Sequence, residues 1–277
     1  MPSGVFPHLR ELSMRIRHLV AACAALFSIA TAPALAQDAE LKVGVTVGPH
    51  AQIGEVVKSV AARDGLRVTL VEFSDFIQPN AALDAGELDL NIYQHRPFLD
   101  AQNKARGYRL APVASAVVQQ MGVYSRRHQT LDALPQGAKV AIPNDPTNGA
   151  RALLVLQAAS LIELKPGVTV NASLFDIAAN PRNLKFLEIE AAQLPHSLAD
   201  VDAAAANSAY AIPAGLSPAR DALALESKDA PFAVVVIAAR EDNKNDPRIA
   251  RFIKAYQSEE VKQFVARQFP GAYSTSW

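Results

Sequence analysis

The stretch LKVGVTVGPHAQIGEVVKSVAARDGLRVTLVEF, residues 41–73, decides the fold. In its first part Val43, Val45 and Val47 alternate with other residues, the period of a strand, until Gly48-Pro49 breaks it. Ile53, Val56, Val57, Val60 and Ala61 then recur at the spacing of one helix face. Asp64-Gly65 ends that helix, and Leu66 to Phe73 is again strand-like. A strand, a helix and a strand within about 30 residues form a βαβ unit, whose strands must run parallel.

Outward from this unit, Pro79 to Ala85 reads as a short helix and Leu88, Leu90 and Ile92 mark a third strand. Further strands are expected at Val117–Tyr124, with Gln119 and Gln120 inside it, and at Lys139–Ile142, Leu184–Ile189 and Val201–Ala206. Ala233–Ala238 is wholly apolar, as a strand buried on both faces requires. A helix is expected from about Gly149 to Ser160, and a closing one carries Ile249, Phe252, Ile253 and Tyr256, then Val261, Phe264 and Val265. Alternating strands and helices define an α/β fold. Two such blocks predict two lobes, residues 38–116 plus 233–277 and residues 117–232, joined through Gly107 to Ser115.

Residues 1–36 read as an address. Arg15, Arg17 and His18 precede an uncharged run, Leu19 to Ala32, and Ala34-Leu35-Ala36 is a small-x-small site. This is the grammar of a secretory signal peptide cleaved near Ala36, and the apolar run is too short to span a bilayer comfortably. The other readings are a buried N-terminal helix, or a lipid anchor at Cys23, because Val20-Ala21-Ala22-Cys23 resembles a bacterial lipobox. Cys23 is the sole cysteine of 277 residues, which excludes an internal disulfide framework, a cysteine-built zinc site and an iron–sulfur cluster. Cationic and acidic residues number 27 each. A neutral chain without a basic block does not point to nucleic acid. Removal of the first 36 residues leaves 241, with 24 cationic and 26 acidic side chains.

In open parallel sheets, ligands lie beyond the carboxyl ends of strands. Those ends carry Gly48-Pro49-His50, Ser74-Asp75-Phe76, Tyr93 to Phe98, Asn144 to Arg151, and Asn207, Ser208 and Tyr210. Thr147 or Asn148 is suited to cap the helix that follows, which places Arg151 in its first turn, where a cation is unwelcome. An arginine there makes sense beside an anion, and free amides with a guanidinium suit a carboxylate; the alternative is a surface arginine paired with a nearby acid. Phe76, Tyr93 and Phe98 with His95 describe the wall of a small-molecule pocket, or else core aromatics. No second ligating residue stands at helical spacing from His95, so a metal is not expected. There is no G-x-S-x-G, H-E-x-x-H, G-x-G-x-x-G or P-loop signature. An exported enzyme using His95 or Ser208 stays open as the remote alternative, and no cofactor is expected.

The chain resembles the methionine-binding, NlpA-type family of substrate-binding proteins, which serve ATP-driven importers. The resemblance runs from about Leu41 to Trp277. It is carried by LKVGVTVG, QHRPFLD at 94–100, VAIPNDPTN at 140–148, LEIEAAQLPHSL at 187–198, NSAYAIPAGLSPARD at 207–221 and REDNKNDP at 240–247. It implies a two-lobed periplasmic-binding-protein fold of type II, each lobe a mainly parallel sheet flanked by helices, that closes on one amino acid. It implies that Arg151 binds the ligand carboxylate, that Asn207 and Asn148 form the polar end, and that Phe76, Tyr93, His95 and Phe98 surround a thioether side chain. The implied partners are methionine in L or D form, an ABC permease and, through it, the ATPase; the implied state is a periplasmic monomer. The resemblance departs at Gln119-Gln120, where the family often carries Tyr-Pro. Amides near the cleft leave room for a more polar ligand, and the same fold binding another apolar amino acid or a small peptide stays open as the alternative.

Overall fold

A computed structural model describes residues 39–277. The signal segment, its Ala36 site and Cys23 lie outside the described residues. β1 (Ala39–Thr46) and β2 (Leu66–Phe73) pair in parallel, Val43 beside Leu70, with α1 (Pro49–Arg63) between them. Gly48 makes the sharp entry into α1 at φ 86°, and a Cβ there would lie 2.7 Å from the Pro213 ring. A side chain is thus excluded twice, by backbone strain and by contact. Then follow α2 (Gln78–Asp84), β3 (Leu90–His95), α3 (Arg96–Arg106), β4 (Leu110–Gln119), β5 (Met121–Tyr124), β6 (Lys139–Pro143) and α4 (Pro146–Ala158). The rest of the chain gives β7 (Glu163–Leu164), β8 (Ile177–Ala179), β9 (Lys185–Ile189), β10 (Ala203–Asn207), β11 (Ala222–Leu225), β12 (Val234–Arg240), α5 (Pro247–Tyr256), α6 (Glu259–Gln268) and β13 (Tyr273–Thr275), with single-turn helices between. Among the described residues no helix is long and apolar enough to cross a membrane.

Two main sheets result. The first has the order β13-β4-β12-β3-β1-β2 and the second β11-β5-β10-β6-β9, while β7 and β8 form a separate pair. Both repeat one plan. A first strand (β1 or β6) lies between two parallel partners, and the next strand along runs antiparallel. That antiparallel strand, β12 or β5, is the one that enters from the other sheet. Period-2 alternation sends side chains to opposite faces. Val140, Ile142, Ala203 and Ala205 join α4 in one core, while Ala141, Ala204 and Ala206 pack with Leu194, Leu198 and Tyr210 on the other face. In the first sheet Val43, Val45, Leu90 and Ile237 pack with α1, α5 and α6, and Val236 and Ala238 pack on the opposite side with Leu83 and Leu99.

Several expectations need correction. Val117–Tyr124 is not one strand: β4 ends at Gln119 in the first sheet and β5 starts at Met121 in the second. The chain therefore passes between sheets at Gln120, and not along Gly107–Ser115, most of which is β4 itself. An apolar run on both sides of the passage conceals it. α3 was not expected, because only Phe98 and Leu99 of its residues are buried and its stripe is short. The closing helix is two helices, divided at Gln257-Ser258, where the Ser258 hydroxyl caps α6, and β13 adds an unforeseen edge strand.

Candidate functional site

Phe76, Tyr93, His95, Phe98, Asn148, Arg151 and Asn207, drawn from four separate stretches of sequence, line one cavity. Gln94, Gln119 and Val235 complete its wall. Residues from both sheets contribute, so the cavity lies between the lobes.

The aromatic end is built at the carboxyl ends of β2 and β3. Phe76 follows β2, Tyr93 and His95 close β3, and Phe98 stands in the first turn of α3. The ring centroids of Phe76, Tyr93 and Phe98 are 5.7–6.3 Å apart, and Phe76 meets Tyr210 of the second lobe at 4.6 Å. The Tyr93 hydroxyl donates to the Phe76 carbonyl at 3.2 Å, and burial pushes its pKa well up. Gln94 is held from behind by Asn80 and Asn91, an all-amide cluster that satisfies its own donors and acceptors.

His95 has two fixed partners. Its Nδ1 caps α3 by accepting from the Phe98 amide at 3.1 Å. The other nitrogen is then Nε2–H, which donates to Asn148 Oδ1 at 3.3 Å across the lobes. Burial, and then the charge of Arg151, lower its pKa to about 3, so the ring is neutral. Asn148 Oδ1 also accepts from Asn207 Nδ2 at 3.0 Å, and Asn148 Nδ2 donates to Asp145. This leaves Asn207 Oδ1 buried and without a partner among the described residues. A buried carbonyl oxygen without a donor costs about 1–3 kcal/mol, which a donor entering the cavity would recover.

Asp145, and neither Thr147 nor Asn148, caps α4, since its carboxylate accepts from the Asn148 amide at 2.9 Å. Pro146 takes the first helical position. Arg151 accordingly stands in the second turn of α4, and the first-turn argument for it does not hold. The anion beside it is Glu226. Arg151 Nε donates to both Glu226 oxygens at 2.9 and 3.0 Å, and Nη2 donates to Glu226 Oε2 at 2.5 Å and to the Gln119 carbonyl at 2.6 Å. Both side chains are buried, with 2% and 4% of the residues exposed, so this is not the surface pair that the sequence left open. Nη1 keeps no hydrogen bond among the described residues, and Arg151 faces the cavity.

Sequence reasoning missed Glu226, the only buried carboxylate among the described residues. Its partner is 75 positions away and nothing local marks it. The Gln119-Gln120 pair divides its work. Gln119 lines the cavity and accepts from His50 Nε2 at 2.9 Å, whereas Gln120 turns away and donates to the Glu226 carbonyl. Only one amide of the pair thus lines the cavity. Ser208 donates to the Gln120 carbonyl at 2.5 Å, which makes it a strut of the passage between lobes. Among the described residues no cluster of His, Cys, Asp and Glu is arranged to hold a metal.

Two mixed sheets sharing one strand plan, with a cavity between them, define the two-lobed periplasmic binding fold. The family description "NlpA lipoprotein" matches residues 41–277, and the chain belongs to that family. It is 46% identical over 240 residues to the D-methionine-binding lipoprotein MetQ of Yersinia pestis, covering 86% of this chain and 88% of that one. The Escherichia coli K12 protein of the same name is 45% identical over the same shares. Among solved structures, a nutrient-binding protein from Burkholderia cenocepacia bound to methionine superposes with a TM-score of 0.83 at 48% identity, covering 86% of this chain and all of that one. The methionine-binding protein MetQ gives 0.84 at 44%, covering 86% and 98%.

Proposed function

We propose that the chain captures methionine, or a close analogue, between its lobes and delivers it to an ABC importer. The observation that carries this reading is the two-sided cavity. Arg151 Nη1 and the unpartnered Asn207 Oδ1 supply its polar side and three rings its apolar side, with His95 between them, bonded to Asn148 and edge-on to Phe98. A ligand carboxylate meets Nη1, its ammonium donates to Asn207 Oδ1, and an unbranched thioether lies among the rings, where sulfur–aromatic contacts are favourable. The cavity's titratable lining, apart from Arg151, is Tyr93 and neutral His95, so the site is equipped to hold rather than to transform. The relatives' names point the same way.

The mechanism needs no bond chemistry. The lobes, residues 39–119 with 234–277 and residues 120–233, close on the ligand by bending at the passages between sheets. The closed form, a monomer, docks on the permease. The chain works outside the cytoplasm. Its lipoprotein relatives favour an anchor at Cys23 over cleavage near Ala36. Isothermal titration against the twenty amino acids and D-methionine tests the reading: tight binding of a methionine form is expected, and no binding of either form overturns it.

Asn207→Ala removes the ammonium acceptor and the bond that holds Asn148. A hydrogen bond to a charged group contributes about 1.5–3 kcal/mol, so methionine affinity is expected to fall at least tenfold. Titration of the variant checks this, and a change under threefold removes Asn207 from the site.

A further inference from the structure

Glu226 lies behind Arg151 and does not line the cavity. Arg151 and Glu226 are the only side chains of Asp, Glu, Lys or Arg buried among the described residues, and they are bonded to each other. The cavity wall therefore presents one cation whose charge is cancelled from the rear. No carboxylate among the described residues lines the cavity to meet an ammonium; the neutral Asn207 Oδ1 is the acceptor on offer. A guanidinium alone in such a pocket attracts anything with a carboxylate, most of all a net anion. With Glu226 in place the same guanidinium still offers Nη1 and its geometry, but the field felt by a ligand is close to neutral. Charges in a buried setting are poorly screened, so this cancellation acts on the ligand's net charge as well as on Arg151.

We propose that Glu226 is the specificity-determining residue that makes the pocket choose net-neutral amino acids over carboxylate anions of the same shape. It acts through Arg151 as a positioning residue and touches no ligand. Its second set of bonds gives it a rigid seat. The carboxylate accepts from the Met121 amide at 3.0 Å, the Glu226 amide donates to the Met121 carbonyl at 2.9 Å, and Gln120 donates to the Glu226 carbonyl. The inference rests on the reading above, in which Arg151 meets the ligand carboxylate.

The test compares L-methionine, its deaminated analogue 4-(methylsulfanyl)butanoate and its amide, methioninamide, by calorimetry with the full chain. In the unaltered protein the deaminated anion is expected to bind at least tenfold more weakly than methionine; equal binding overturns the inference without any variant. In Glu226→Gln the preference for methionine over the anion is expected to shrink at least tenfold and methioninamide to weaken further. Glu226→Asp, which keeps the charge, is expected to hold the preference within threefold. A Glu226→Gln protein that weakens all three ligands by one factor shows a purely structural role and overturns the inference. If Glu226→Gln does not fold, loss of the preference in Glu226→Asp overturns it. An unaltered protein that binds neither methionine nor its analogues refutes the functional reading itself, an outcome distinct from an unchanged preference in a protein that binds.

Discussion

Arg151→Ala is expected to weaken methionine binding at least a hundredfold and to destabilise the free protein by about 3–5 kcal/mol, the usual cost of breaking a buried ion pair from one side. The two losses have different origins. Binding falls because Nη1 is removed from the polar end of the cavity. Stability falls because the Glu226 carboxylate stays buried, with the Met121 amide as its sole remaining hydrogen-bond donor. The double variant Arg151→Ala, Glu226→Ala separates them. It buries no lone charge, so it is expected to recover part of the stability while binding stays lost. Calorimetry and urea unfolding read the two quantities. A single variant that loses under 1 kcal/mol of stability would show that the buried ion pair does not hold the fold.

The second large effect is acid destabilisation. His50 and His95 are buried and neutral, with pKa values lowered from 6.5 to about 4 and about 3, each chiefly by burial. In the unfolded chain both titrate near 6.5. Between pH 6.5 and 4 the unfolded state thus binds two protons that the folded state refuses, and stability falls as pH falls. Each histidine costs about 1.4 kcal/mol per pH unit in this window, so about 5 kcal/mol is lost by pH 4.5. This is a large part of the usual 5–15 kcal/mol of a domain. Urea unfolding of the ligand-free protein at pH 7, 6, 5 and 4.5 checks it. His50→Gln is expected to halve the slope, and an unchanged slope would assign the acid sensitivity elsewhere.

What was legible in the sequence follows one physical line. The βαβ unit at 41–73 could be read because one-sided burial writes a period into the sequence, and its second strand falls at Leu66–Phe73 as expected. The rule that parallel strands present their carboxyl ends together yields a longer list that contains the seven residues round the cavity, and the family resemblance selected them from it. What could not be read is what depends on partners far away. The passage at Gln120 joins two strands of like composition, and only their separate sheets distinguish them. The cap of α4 was misplaced because Asp145, Thr147 and Asn148 are all good capping types; Pro146, suited to the first helical position, was the local clue that selects Asp145. Arg151 was found by an argument about a helix end that the structure does not support, and its actual reason, Glu226, is a tertiary contact.

The passages between the sheets are laced together. The Gln119 amide donates to the Ala233 carbonyl at 2.7 Å, and the Glu226 amide donates to the Met121 carbonyl at 2.9 Å. Two straps sewn side by side behave differently from a single thread. A thread allows its two ends to swivel in any direction, whereas a stitched pair resists shear and twist and yields readily only by folding across its width. The molecule is therefore built with something close to an axle. In the proposed closure its halves would move like the covers of a book.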